Sequence, residues 1–539
     1  MTRPAPPPLL RAPPFSGASV HISANLSGQA PASNAVALVR EARVGGTFWA
    51  ESTLPDRSAK VVIRPASAAD AKALSGRADA DTLWIAPSQI VDPWSVLSGA
   101  ERLWVHGDDE WLALARIAGV ATEVLSPGRF GGPDDDAATL DGNAFQAIAN
   151  VAYFNPFTGE PTTLEATVEL LAEWRRLITA NREIVAAAGM AWWKREEIRR
   201  FLWVPERPLR FAASGSQALG VAKKHGGGVA IWPSRVSPQL IAQARDQGTP
   251  LVRVEDGFVR SVGLGSNLVP PSSVVVDRAG IHFDPRDPSD LETYLNDTCF
   301  TPRLLERART LRETIVKAGI SKYHAGTGAD TGAGTVQDAP ERRAGRRLVL
   351  VPAQVEDDMS VLAGGGGLQS NLELLRRVRA MEPDAEIWFR PHPDVDAGHR
   401  KGAVPDEAAL QFADRIMRGG GMAALLDQVD AVHVLTSLTG FEALMRGREV
   451  TCHGTPFYAG WGLTRDLGVV PDRRGRRLSL DELVAGVLIL YPRYLDPVTG
   501  LPCPPEVLVA RMAQARAPNR LSWVAPIRKW QGRLMAMLR

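Results

Sequence analysis

The stretch VHVLTSLTGFEALMRGREV (Val432–Val450) reads as a buried strand, a turn rich in hydroxyls, a helix and the start of another strand. The strand runs into Thr436, Ser437, Leu438, Thr439 and Gly440 before the helix begins. Hydroxyls and unsatisfied N–H groups at a helix N-terminus make an anion site, and Ser437 also suits the plain role of N-cap. Working outward, RLVLVPAQ (Arg347–Gln354) and AEIWFRPHP (Ala385–Pro393) precede it as apolar strands, and EVTCHG (Glu449–Gly454) follows. Short buried strands alternating with helices predict a parallel sheet.

A second set of strands starts near Leu209, with VAIWP (Val229–Pro233), PLVRVED (Pro250–Asp256) and SVVVD (Ser273–Asp277), and a helical Gln239–Gln247 among them. Between the two sets, GTGADTGAGTVQDAPERRAG (Gly326–Gly345) lacks a hydrophobic period and reads as a mobile linker. Two Rossmann-like lobes joined by a linker predict an α/β fold of the GT-B kind, with ligands beyond the carboxyl ends of the strands.

Further upstream, KVVIRP (Lys60–Pro65), TLWIAP (Thr82–Pro87), RLWVHG (Arg102–Gly107) and ATEVLSP (Ala121–Pro127) give another βα series. It carries an internal repeat: YFNPFTGEP (Tyr153–Pro161) matches YLDPVTGLP (Tyr494–Pro502), and Arg102–Val120 runs loosely parallel to Val432–Val450. Where the downstream copy has Ser437 and Thr439, the upstream copy has Gly107, Asp108 and neighbouring acids. A carboxylate there repels a phosphate, so the upstream copy is expected to be catalytically dead, a degenerate Rossmann-like partial module.

Composition narrows the classes. Lys+Arg 62 against Asp+Glu 60 leaves no bulk positive charge, so nucleic acid is not an expected partner. Cys299, Cys452 and Cys503 form neither a disulfide framework nor a zinc cluster, which fits a reducing, cytoplasmic setting. Met1–Phe15 is proline-rich without an apolar core, so no signal peptide is expected, and no run of about 18 apolar residues is present to span a membrane.

Four constellations carry the chemistry. Glu255 and Asp256 end a strand before a glycine, with Arg260, Ser261, Gly263 and Gly265 close by to hold an acidic substrate and admit close backbone approach. His392 stands between Pro391 and Pro393, which restrict the backbone and aim the imidazole at a phosphate or leaving group, with charge added by Arg390 and Arg400. Ser437, Thr439 and Gly440 form the helix-start anion site, followed by Phe457, Tyr458 and Trp461, which suit either core or sugar pocket. Gln354, Glu356 and Asp357 after a strand suit a nucleotide ribose or base, and a metal at Glu356–Asp357–Asp358 is no better supported than a solvated acidic loop. The glycine run at Ala363–Asn371 matches neither phosphate-loop fingerprint.

The strings EDGFVRSVGLGS, PPSSVVVD, GISKYH (Gly319–His324), VEDDMS, RPHPDV, SLTGFEALMRG and PFYAGWGLTRD together resemble the KpsC family of capsular polysaccharide proteins. The resemblance covers about Trp192 to Pro502 and implies a retaining β-Kdo transferase using CMP-Kdo, with no cofactor and no metal. On that resemblance Asp256 is the nucleophile, Glu255 assists it, and His392 and Ser437 hold the donor phosphate. Arg260 is assigned here to the Kdo carboxylate. The implied acceptor is a Kdo-terminated lysophospholipid or oligo-Kdo, with capsule-assembly proteins and the inner membrane as further partners. A non-catalytic glycan-binding scaffold, or a transferase for another CMP-activated nonulosonic acid, fits the same residues less fully. Pro233, Ala353 and Arg390 depart from the family pattern of glycine, glycine and lysine. The expected division is a disordered lead (1–18), the degenerate module (19–185), a first lobe (186–325), a linker (326–346), a nucleotide-binding lobe (347–490) and a helical C-terminal segment (491–539). Its basic end, Ile527–Arg539, suits a membrane surface or the protein's own surface equally.

Overall fold

The computed structural model describes residues 7–514 apart from 19, 25–33, 53–59, 78, 80, 263–268, 322, 325–342, 344, 399 and 419–420. Gly263, Gly265, nearly all of the linker and Ile527–Arg539 therefore lie outside the described residues, as does the side chain of Ser261. The chain divides into two units, Met1–Glu183 with Leu202–Leu209, and Ile184–Phe201 with Arg210–Arg539.

The first unit contains β1 (Ser23–Ala24), β2 (Val61–Arg64), β3 (Thr82–Trp84), β4 (Arg102–Val105), β5 (Ala121–Val124), β6 (Ala152–Phe154) and β7 (Pro161–Thr162). Strands β2 to β5 form a parallel sheet in the order β3-β2-β4-β5, as the βα rhythm predicts. β1, β6 and β7 make a small antiparallel sheet. Residues 7–18 correct the expectation of a disordered lead: Leu9 and Leu10 are fully buried, and Phe15 stacks edge-on against Trp174. Three apolar anchors within a proline-rich run suffice to hold it down.

The second unit opens with β8 (Ile184–Ala188), β9 (Arg210–Phe211), β10 (Gly228–Ile231), β11 (Leu251–Asp256), β12 (Ser261–Val262), β13 (Ser273–Asp277) and β14 (Tyr323–His324). It continues with β15 (Leu348–Pro352), β16 (Glu386–Arg390), β17 (Arg415–Ile416), β18 (Ala431–Val434), β19 (Glu449–Cys452), β20 (Arg465–Asp466), β21 (Pro492–Leu495) and β22 (Pro502–Cys503). The first lobe is a seven-stranded sheet, β22-β21-β13-β11-β10-β8-β9, parallel from β11 to β9 and antiparallel beyond. The second is a fully parallel sheet, β17-β16-β15-β18-β19-β20, whose all-apolar β15 is buried on both faces.

β21 and β22 correct the boundary at 491. They leave the second lobe and complete the sheet of the first, so that only Pro505–Ala513 of the described tail is helical. Asp496 turns the chain between them: its carboxylate accepts from the Val498 and Thr499 N–H groups and pairs with Arg511 at 3.0 Å. The lobes are joined by an ionic triad in which Arg474 and Glu292 are buried and Arg473 is half-buried. Arg473 and Arg474 reach Glu292 at 2.7 and 2.6 Å, and Arg474 also donates to the carbonyls of Pro456 and Ala459. Two guanidinium groups on one carboxylate satisfy its oxygens, and removing Glu292 leaves the buried Arg474 without its carboxylate.

Candidate functional site

The Asp256 corner is built by β11. Its central position, between β10 and β13, carries Asp256 to the carboxyl edge of the first lobe. Gly257 is required there, because a Cβ would collide with Ser273, whose carbonyl accepts the Gly257 N–H at 3.0 Å. Two cations touch the Asp256 carboxylate. Lys194 Nζ lies 2.9 Å from Oδ1 and Arg260 Nε 2.9 Å from Oδ2. A Glu255 oxygen accepts the Asp256 backbone N–H at 3.0 Å, so Glu255 is tied to its neighbour.

This geometry reassigns Arg260. Its side chain is 0% exposed and also donates to the Val269 carbonyl at 2.9 Å, so it positions Asp256 and is too deep to meet a substrate carboxylate. Lys194 was not legible as a site residue. It comes from the turn Trp192–Lys194, remote in sequence from the E-D-G run, and its ammonium sits 3.5 Å from the Trp232 ring centroid. Burial lowers its pKa, opposed by the nearby charges of Asp256 and Glu255. A lysine two residues into an aromatic pair is the one hint the sequence offered, through its affinity for ring faces.

The second lobe brings Gln354, His392 and Ser437 to the carboxyl ends of β15, β16 and β18, three adjacent parallel strands. Ser437 caps the helix Leu438–Met445, accepting the Thr439 N–H at 3.2 Å and donating to the Thr439 hydroxyl at 3.1 Å. His392 caps the short helix Pro393–Asp396, its Nδ1 accepting the Asp394 N–H at 3.2 Å. That bond assigns the proton of a neutral ring to Nε2, leaving Nε2 as the donor face. Arg390 donates to the Met417 carbonyl at 2.9 Å, and burial lowers its pKa against the pull of Asp396.

Other expected donor contacts are committed to architecture. Gln354 is 9% exposed and both ends of its amide engage Thr436, at 2.8 and 3.0 Å, so it fixes the loop before Ser437. Glu356 accepts the Asn371 N–H at 2.8 Å, Asp357 pairs with Arg400, and Asp358 caps the following helix. Gly440 is small to admit Tyr458, whose hydroxyl donates to the Ser437 carbonyl. Phe457, Tyr458 and Trp461 are 6%, 0% and 0% exposed, and Phe457 packs 4.7 Å from Phe258 across the lobes, so all three are core.

The loop after Asp256 and the helix after Ser437 pack together. Phe258 and Val259 of the first lobe and Leu438, Phe441 and Glu442 of the second line a small, mostly apolar cavity of about 10 Å³, which neither Asp256 nor Ser437 lines. Asp256 and Ser437 each stand at the carboxyl edge of their own sheet, the position where open α/β sheets bind ligands.

The upstream unit repeats the second lobe with its edge closed. The hairpins correspond in register: Tyr153↔Thr162 and Phe154↔Pro161 answer Tyr494↔Cys503 and Leu495↔Pro502. The loop before the upstream helix Trp111–Ala118 is longer, and Asp109 fills its start. One Asp109 oxygen accepts the Trp111 N–H at 2.9 Å and the other meets Arg64 at 2.8 Å. The chain supplies its own anion where the downstream copy leaves a hydroxyl. After β3 the run is Ile85–Ala86–Pro87–Ser88, without the arginine that ends β16 and the histidine that follows it.

Two Rossmann-type lobes place the second unit in the GT-B class. Residues 228–494 match the family described as capsule polysaccharide biosynthesis protein. Two solved domains of KpsC from Thermosulfurimonas dismutans align with it. The β-Kdo 2,7 transferase is 33% identical, with 62% of this chain and 99% of that one covered at a TM-score of 0.50, and the β-Kdo 2,4 transferase is 32% identical, with 61% and 98% covered at 0.51. The chain belongs to the KpsC family of capsule polysaccharide biosynthesis proteins. The capsule polysaccharide modification protein LipA of Neisseria meningitidis is 41% identical over 347 residues, 64% of this chain and 48% of LipA. The lipopolysaccharide-processing protein LpsZ of Rhizobium meliloti is 46% identical over 250 residues, 46% of this chain and 54% of LpsZ. The chain spans about half the length of these curated relatives. Among the described residues no helix is long and apolar enough to cross a membrane.

Proposed function

We propose that the second unit is a β-Kdo glycosyltransferase of capsule assembly, taking Kdo from CMP-Kdo and delivering it with retention to a Kdo-type glycolipid or oligo-Kdo acceptor. The observation that carries this reading is Asp256, held at the carboxyl edge of β11 by Lys194 and Arg260. Arg260 is fully buried and anchored on the Val269 carbonyl, and the attack is assigned to the other oxygen, Oδ1, which faces Lys194. That Oδ1 forms a bond to the anomeric carbon while the bond to the CMP phosphate breaks, and CMP leaves with the electron pair. The freed ammonium then faces the newly neutral ester. An acceptor hydroxyl attacks the same carbon, the Asp256 carboxylate is released, and the hydroxyl proton passes to Glu255 or to water.

Ser437 and the Leu438–Met445 helix start receive the departing phosphate, with His392 Nε2 as a second donor. A CMP-sugar carries one phosphate, which these groups neutralise without a metal. The upstream unit contributes no second linkage in this reading, because Asp109 occupies its anion position. Incubation with CMP-Kdo generated in situ and a short Kdo-terminated lipid, read by mass spectrometry, tests the assignment. A single added Kdo that disappears in Asp256→Ala supports it. An absence of transfer together with an absence of CMP binding turns the reading to a glycan-binding scaffold.

A further inference from the structure

The first unit carries a chain of three side chains that glycosyl transfer does not use. Ser126 Oγ lies 2.9 Å from His106 Nδ1, and His106 Nε2 lies 2.7 Å from Asp70 Oδ2. Asp70 is held in place. The same Oδ2 accepts the Ala66 N–H at 2.8 Å, and the Asp70 N–H donates to Ser67 Oγ at 3.2 Å. The carboxylate needs a donor, which puts the proton of a neutral imidazole on Nε2 and leaves the Nδ1 lone pair to accept the Ser126 hydroxyl. Nucleophile, base and orienting carboxylate stand in hydrogen-bonded sequence, the arrangement that activates a serine.

The three come from separate elements. His106 follows β4, Ser126 follows β5, and Asp70 lies on the helix Ala68–Leu74 after β2. These strands are adjacent and parallel, so the group sits on the carboxyl edge of the sheet, where open α/β sheets bind ligands. Two glycines let the loops after β4 and β5 cross backbone to backbone: a Cβ at Gly107 would collide with the Gly131 carbonyl, and one at Gly128 with the Asp108 nitrogen. The Gly107 N–H donates to the Ser126 carbonyl at 2.9 Å, which sets Ser126 beside His106. The Asp108 N–H, at the same crossing, takes no acceptor among the described residues and is available to an oxyanion. In the downstream copy the positions in line with His106 and Ser126 are Thr436 and Thr455, whose hydroxyls engage Gln354 and the Val469 carbonyl. Two hydroxyls suffice there to tie the loops. The upstream copy instead places a base at this point with a carboxylate behind it.

We propose that Ser126 and His106, positioned by Asp70, form a second active site that hydrolyses carboxylic esters, with a short acyl group on a large carrier as substrate. His106 Nδ1 takes the Ser126 proton as Oγ bonds to the acyl carbon. The bond from that carbon to the alcohol oxygen breaks, and His106 gives the proton to the departing alcohol. Water then attacks the acyl-Ser126 ester, its proton passes through His106 to Ser126 Oγ, and the carboxylic acid leaves. Asp70 keeps the ring in register and faces the charge it acquires. The His106 and Asp70 side chains are 21% and 25% exposed, so the site lies at the surface and is open to a substituent presented by a larger molecule. The inference is independent of the glycosyltransferase reading, because all three groups belong to the first unit.

The test uses the full chain with three probes: a fluorophosphonate, which captures an activated serine, p-nitrophenyl acetate and p-nitrophenyl decanoate. Peptide mass spectrometry is expected to find the phosphonyl adduct on Ser126 of the wild type, and the acetate is expected to be hydrolysed faster than the decanoate. Ser126→Ala is expected to lose the adduct and to slow acetate hydrolysis at least about a hundredfold, and His106→Gln to slow it by a similar factor. Asp70→Asn is expected to lower kcat about tenfold at unchanged KM and unchanged unfolding midpoint, the split that marks a positioning residue. An unlabelled Ser126 in the wild type overturns the proposal without reference to any variant. Equal acetate hydrolysis by wild type and Ser126→Ala overturns it as well, and faster hydrolysis of the decanoate overturns the assignment to a short acyl group.

Discussion

The chain holds two versions of one α/β edge. In both, a parallel strand enters a helix, the next strand pairs beside it, and an antiparallel hairpin of the same register follows. The downstream version caps its helix with the Ser437 hydroxyl, while the upstream version starts at Trp111 with the Asp109 carboxylate already seated on the Trp111 N–H. The strands that fix the fold were kept and the loops that fix the chemistry were changed. A sheet edge can thus lose its ligand without losing its stability, because the replacement carboxylate is itself satisfied by Arg64.

The sharpest way to break this contrast is to remove the carboxylate from each copy in turn. Asp256→Ala is expected to lower transfer by at least about a thousandfold, since no other group can form the covalent adduct. Asp109→Ala is expected to leave transfer at the wild-type rate and to destabilise the first unit by about 3 kcal/mol, because it strands Arg64, only 8% exposed at its side chain. Chemical denaturation and mass-spectrometric rates on both variants check this. Comparable loss of activity in the two would show that the upstream edge still takes part in catalysis.

How far the sequence disclosed this difference depended on the range of the signal. Strands such as β4, β15 and β18 were legible because apolar runs and turn residues are local. The hairpin repeat was legible because nine residues carry it. Arg260 and Gln354 were recognised as important but given ligand roles, because composition cannot tell a side chain that touches substrate from one that holds another in place. Lys194 was missed entirely, since its tie to Asp256 is formed by the sheet order β8-β10-β11, which no local pattern announces. The anchoring of residues 7–18 was missed for the opposite reason. Proline enrichment suggested disorder, and three apolar side chains outweighed it.

Lys194 sharpens the comparison within the active copy. Lys194→Met is expected to lower kcat roughly a hundredfold, with a smaller effect on donor KM, if the ammonium matters most once Asp256 has reacted. Lys194→Arg should recover part of the loss and should alter the alkaline limb of the pH–rate profile, because arginine does not titrate there. A variant that lost activity only in proportion to a lowered unfolding midpoint would assign Lys194 a purely structural role. Ser437→Ala should act on the donor side, raising its KM about tenfold through loss of one hydroxyl from the phosphate site.

A further expected effect concerns pH and bears on stability alone. In the second lobe His433 Nδ1 and His453 Nε2 lie 3.1 Å apart, both rings buried, and burial lowers each pKa from 6.5 to about 4. In the matching register of the first unit, Trp104 and Leu125 occupy these positions and do not titrate. Between pH 6.5 and 4 the unfolded chain binds more protons than the folded one at each histidine. Stability of the second unit is therefore full above pH 6.5 and falls as the pH drops toward 4, by up to about 3 kcal/mol per ring. The two losses are coupled, since a proton on one ring opposes a proton on the other. Denaturation midpoints of the wild type and of His433→Phe/His453→Leu, followed from pH 7 to pH 4, separate this contribution from the titration of surface carboxylates. The double variant should show a flatter decline, and identical declines would mean that the histidine pair opens to water before it is protonated.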